Sequence, residues 1–127
     1  MSGVIGVYST KKNNIAESLF YGLTALQHRG ESGAGISVAK ENGDILTKGG
    51  VGLVYYLFKD ELELLKAVEP CAGIGHVLYE GTTSIQPTEA PGKNYKIVFA
   101  MDGVLMGLKG KHDIIARDMF LNALEKE

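Results

Sequence analysis

The stretch Tyr21–Ile36, YGLTALQHRGESGAGI, passes from a helical pattern to a strand pattern within a few residues. Upstream, Ile15, Leu19, Leu23 and Leu26 recur at helical spacing, with Ala16, Phe20 and Gln27 beside them. Asn14 can cap that helix, and Glu17 three residues later completes a capping-box-like pair. Gly30 stands where the helix should stop. Downstream, Ile36, Val38 and Lys40 alternate with Ser37 and Ala39, the period of a strand. Asn42-Gly43 then predicts a two-residue type I′ hairpin turn, with Ile45 and Thr47 on the return strand.

Working outward, Val4–Tyr8 reads as a buried strand, broken by Lys11-Lys12-Asn13-Asn14. Leu53 to Glu69 keeps helical spacing through Leu57, Glu61, Leu64/Leu65 and Val68, and predicts one helix. GIGHVLYEG (73–81) and YKIVFAMDG (95–103) read as strands, joined by a Pro- and Gly-bearing loop from Pro87 to Asn94. Asp113 to Glu125 reads as an amphipathic helix with Ile115, Met119 and Phe120 among its apolar positions. The order is strand, helix, hairpin, helix, two strands, helix. That is α+β rather than a regular βαβ winding, in a single domain spanning 1–127.

Composition narrows the function classes. Apolar residues make up 45% of the 127, enough for a core, and no repeat or low-complexity tract appears. Lys and Arg number 13 against 15 Asp and Glu, without blocks of one sign, which argues against a nucleic-acid binder. No basic segment leads into an apolar one at the N-terminus, and no run of about 18 apolar residues exists, so a cytoplasmic chain without a membrane span is expected. Cys71 is the one cysteine, so no internal disulfide can form. The three histidines and Cys71 have no zinc spacing, and KGGVGL (48–53) lacks the phosphate-loop patterns. No metal and no cofactor is expected.

The junction at 21–36, with SGVIGVYS (2–9) before it and GIGHVLYEGTTSIQP (73–87) after it, resembles the class II glutamine amidotransferases. The likeness is nearest to the glutaminase domain of the amidophosphoribosyltransferase type, one of the N-terminal nucleophile hydrolases. It runs from Ser2 to about Gly103. The resemblance implies a four-layer αββα fold, incomplete here because the chain is short for the family. It implies cleavage of glutamine to glutamate and ammonia. The nucleophile is a cysteine exposed by removal of Met1, and its own α-amine serves as base. Ser2, followed by Gly3, holds that position.

By the same resemblance, Arg29 and Tyr79 are candidate substrate-binding residues, and Gly103 offers an oxyanion-hole N–H. Asp113 in KHDIIARD (111–118) is a candidate for the family's amine-binding aspartate. Gly30, Gly33, Gly35, Gly75, His76, Gln86 and Pro87 also match, mostly as fold-keeping positions. Two positions depart. Leu78 stands where the family has the arginine that clamps the substrate carboxylate, and Asp102 where it has the oxyanion-hole asparagine. The lost clamp costs about 1.5–3 kcal/mol and the lost oxyanion donor about 2.7–4 kcal/mol. Together they amount to roughly 5 kcal/mol, more than a thousandfold in rate.

Serine is also a far poorer nucleophile than cysteine near neutral pH. The expectation is therefore a domain without normal glutaminase activity that binds a glutamine-like small molecule or a partner subunit. One alternative is an N-terminal-serine amidohydrolase hydrolysing glutamine or another small amide. The other is an oligomeric structural protein. Sheets left incomplete expose edges, which favours homo-oligomerisation or docking. His28 and His76 read as structural, Cys71 as a packed small residue, and Glu31, Glu80 and Glu89 as solvated. A Ser2/His28/Asp102 triad is not required by any spacing.

Overall fold

The computed structural model of the chain describes residues 2–10, 14–80 and 83–126. The strand break expected at 11–13, the fate of Met1 and the end of the 73–81 segment at Gly81 lie outside the described residues. Helix α1 (Ile15–Ala25) buries Ile15, Ala16, Leu19 and Leu23. Those side chains press on glycines of the sheet: a Cβ on Gly73 would meet Leu19 and Ile15, and one on Gly75 would meet Leu23. The sheet thus admits the helix closely, and each fully buried Leu contributes about 1.5–3 kcal/mol.

That sheet holds β1 (Gly3–Tyr8), β2 (Gly33–Ala39), β3 (Ile45–Gly50) and β4 (Ala72–Leu78) in the order β1-β4-β2-β3. All its neighbours are antiparallel, with Gly3 opposite Val77 and Gly35 opposite His76. β2 is central and is buried over nearly its whole length. Helices α2 (Val54–Phe58) and α3 (Leu62–Ala67) lie beside α1. Their Val54, Phe58 and Leu65 join the core formed by α1, Ile36, Val38 and Val77. Lys66 of α3 is paired with Glu17 of α1.

On the opposite face lies a second sheet, the hairpin of β5 (Thr88–Pro91) and β6 (Lys96–Phe99). The segment leading into β5 crosses Gly35, where a Cβ would sit 2.1 Å from the Gln86 carbonyl oxygen. Only glycine permits that approach. Helix α4 (His112–Glu125) covers the hairpin's outer side. Glu125 accepts the backbone N–H groups of Asn94 and Tyr95 at the hairpin tip, and the Phe99 and Phe120 rings lie 6.3 Å apart. The layers are therefore helix, sheet, sheet, helix, as the resemblance implies. The second sheet has two strands among the described residues, so part of the first sheet's face stays open.

Several local expectations are corrected. Asn14 makes no side-chain cap bond, and α1 ends at Ala25 rather than near Gly30. The chain then tightens into a 3₁₀ turn, Gln27–Arg29, and Gly30 is extended, with φ −172°. The single helix expected over 53–69 is two helices, because the ladder breaks where Glu61 N–H bonds the Phe58 carbonyl, a tighter i to i+3 contact. Only Gly43, at φ +94°, is left-handed in the hairpin turn, and Gly43 N–H bonds the Lys40 carbonyl. The connection is a three-residue loop with glycine at its left-handed position, not a two-residue type I′ turn. The expected 87–94 loop contains β5. In α4, Met119 and Phe120 are exposed while His112, Asp113 and Leu121 are buried, since a two-stranded hairpin is too narrow to cover a full apolar stripe.

Candidate functional site

Ser2 sits just before β1, whose pairing with β4 carries it to the end of that strand. It is buried, at 8% exposure. The backbone N–H of Tyr79 donates to Ser2 Oγ at 3.1 Å. Tyr79 therefore takes part through its main chain, while its side chain is largely exposed. Arg29 arrives from the 3₁₀ turn, which exists because α1 stops early. Its Nε donates to the Ser2 carbonyl at 2.7 Å.

Asp102 completes the cluster. Its Oδ1 accepts from the Ser2 backbone nitrogen at 3.0 Å, and its Oδ2 accepts from Arg29 Nη2 at 3.0 Å. Partial burial disfavours its charge, but the Ser2 N–H and the Arg29 guanidinium outweigh this and hold the carboxyl below its ordinary range. Both oxygens are engaged by the protein itself.

What aims Asp102 is the residue before it. Gln86 Oε1 accepts the Met101 N–H at 2.7 Å, and His76 Nε2 lies 3.0 Å from the Met101 carbonyl. A carbonyl only accepts, so His76 carries its proton on Nε2. Gln86 Nε2 lies 3.2 Å from His76 Nε2 and 3.4 Å from the same carbonyl, and with the His76 proton on Nε2 its amide donates to the carbonyl. His76 Nδ1 is then a buried lone pair with no partner among the described residues. Burial pushes the His76 pKa down, against smaller upward pulls from the Met101 carbonyl, Asp102 and Asp113. The ring is held neutral.

The structure thus brings together Ser2, Arg29, Asp102 and the Tyr79 backbone. It does not bring Asp113 to them: that carboxylate is fully buried at the start of α4 and accepts from Ser84 N and Ser84 Oγ. Gly103 has φ +137° and is exposed, and its N–H takes no partner among the described residues. His28 is exposed and bonds the Ala25 carbonyl, so no Ser2/His28/Asp102 triad forms. Among the described residues no group of three or more His, Cys, Asp or Glu is placed to hold a metal. Neither Ser84 as the partner of Asp113 nor the hold of Gln86 on Met101 is legible in the sequence. A Gln-Pro whose amide could reach a backbone segment 15 residues on leaves no local signal.

Searched against family models, the chain matches none. It is 44% identical over 108 residues to the amidophosphoribosyltransferase of Methanothermobacter thermautotrophicus, covering 80% of this chain and 22% of that protein. It is 41% identical over 106 residues to that of Pyrococcus horikoshii, covering 81% and 22%. Among solved structures, the glutamine phosphoribosylpyrophosphate amidotransferase from B. subtilis, complexed with ADP and GMP, superposes with a TM-score of 0.62. That match has 31% identity and covers 79% of this chain and 21% of the other. A second, the allosteric regulatory enzyme of purine biosynthesis, has a TM-score of 0.63 at 29% identity. The chain belongs to the class II glutamine amidotransferase-like domains. It spans about a fifth of the length of the curated relatives it matches. No helix among the described residues is long and apolar enough to cross a membrane.

Proposed function

We propose that this amidotransferase-like domain lacks ordinary glutaminase turnover and acts by binding. Its occupant is a glutamine-like small molecule at the N-terminal site or a partner subunit, including a second copy of the chain, on the open sheet face. One observation carries the reading: an anionic Asp102, bonded to Ser2 N and Arg29 at 3.0 Å each, lies where glutamine hydrolysis calls for a neutral donor. A carboxylate there opposes the negative charge that develops on the substrate carbonyl oxygen. Leu78, at the end of β4, has no group with which to grip a substrate carboxylate. Arg29 turns its Nε and Nη2 inward, to the Ser2 carbonyl and to Asp102, rather than toward a substrate carboxylate.

The direct test is ammonia release from glutamine by the purified chain, compared with Ser2→Ala. The expected result is no difference between the two. Glutamate and ammonia formed at a rate that Ser2→Ala abolishes would overturn the reading. Calorimetric titration with glutamine and glutamate, in parallel, reads binding without turnover.

A further inference from the structure

The cluster at Ser2 holds an interaction that the loss of donors alone does not explain. The Asp102 carboxylate meets the backbone nitrogen of Ser2, not only the Arg29 side chain. It is held there from behind, because the Met101 backbone is bonded on both sides by Gln86 and His76. In a chain that begins at Ser2, that nitrogen is a primary amine. To activate the hydroxyl, it must use its lone pair to accept the Ser2 Oγ proton as the oxygen forms its new bond. An ammonium has no lone pair and cannot do so.

We propose that Asp102 is the built-in counter-ion of the Ser2 α-ammonium in the processed chain. It keeps that amine protonated at neutral pH, so the site is silenced at its base as well as at its nucleophile. This rests on the binding-domain reading above and deepens it. An anion at hydrogen-bond distance favours the charged amine. Two features act the other way: the burial of Ser2, and the Arg29 guanidinium, which reaches the Ser2 carbonyl. Arg29 also takes a share of the same carboxylate charge through Oδ2, while Oδ1 meets the Ser2 nitrogen directly at 3.0 Å. From β4 and the residue after it no further charge enters, since Tyr79 approaches by its N–H and the neutral His76 is turned to the Met101 carbonyl. Asn at position 102 would keep an acceptor oxygen for the amine while removing the charge.

The experiment uses the purified full chain. Intact mass first establishes loss of Met1, and a retained Met1 overturns the proposal. The Ser2 amine is then titrated by the pH dependence of its acetylation with acetic anhydride, read on the N-terminal peptide by mass spectrometry. In the unaltered protein the midpoint is expected about one pH unit or more above that of Asp102→Asn, a tenfold difference in proton affinity. Arg29→Gln should leave it as high or raise it. Equal midpoints in the unaltered protein and Asp102→Asn would refute the idea.

A second measurement needs no variant. The Asp102 carboxyl ¹³C resonance should move as the amine deprotonates, and a carboxyl blind to that step also refutes it. Turnover and titration fail separately: a Ser2-dependent glutaminase with a raised amine midpoint would sink the binding-domain reading and the silencing, and leave only the ion pair, whereas equal midpoints without turnover would sink the ion pair and leave the binding-domain reading.

Discussion

His76 shows how one side chain can serve geometry rather than chemistry. It is fully buried, donates from Nε2 to the Met101 carbonyl, and leaves Nδ1 without a partner among the described residues. Its folded pKa is lowered, chiefly by burial, so the unfolded chain binds a proton that the folded chain refuses. Stability is therefore complete above the unfolded value, about 6.5, and falls as pH drops below it. Urea unfolding across that window should show His76→Gln losing less stability on acidification than the unaltered chain. Asp102 works in another range. Its carboxyl is depressed, so its contribution is present above the ordinary carboxylate value and is lost as pH falls through the lower folded one. At this scale the sequence named Ser2, Arg29, Tyr79 and Asp102 as site positions. It could not show that Tyr79 would act through its main chain, or that Asp113 would be occupied by Ser84.

Among elements, the crossing of the Gln86 segment over β2 links fold to site. Gly35 permits it, and Gln86 in turn holds Met101 ahead of Asp102. Gly35→Ala places a methyl 2.1 Å from the Gln86 carbonyl oxygen, against backbone that must shift. Overpacking of this kind costs about 1–3 kcal/mol. The expected result is that cost in urea unfolding together with faster hydrogen exchange at the Met101 amide. Gly43→Ala is the contrast. Its φ of +94° in the β2–β3 turn costs a side chain about 1 kcal/mol, but the Met101 amide should exchange as before. The β2–β3 hairpin and α1 were legible because their periodicities are local. The split of the 53–69 helix and the early end of α1 were not, because the deciding contacts come from the core and from neighbouring turns.

For the whole molecule, the decisive feature is a first sheet packed by α1, α2 and α3 on one face and covered only in part on the other. The open part is a concavity of about 480 Å³ between β1, β2, β4 and Val98, with Ile45 and Ile74 in its lining and Tyr8 at 74% exposure. Light scattering across a wide concentration range should give a mass above 13.6 kDa at the high end. Tyr8→Lys should lower it by placing a charge on the apolar face. A mass fixed at one chain throughout would count against association through this face. The sequence by itself determined the family, together with β1, α1, the β2–β3 hairpin, β4 and α4 and the residues at Leu78 and Asp102, because periodicity and motif order are properties of the chain. The tertiary structure decided which groups meet. Ser2, Arg29 and Asp102 lie up to 100 positions apart, and only the packing of the two sheets, with Gln86 and His76 gripping Met101, brings that carboxylate to the Ser2 nitrogen.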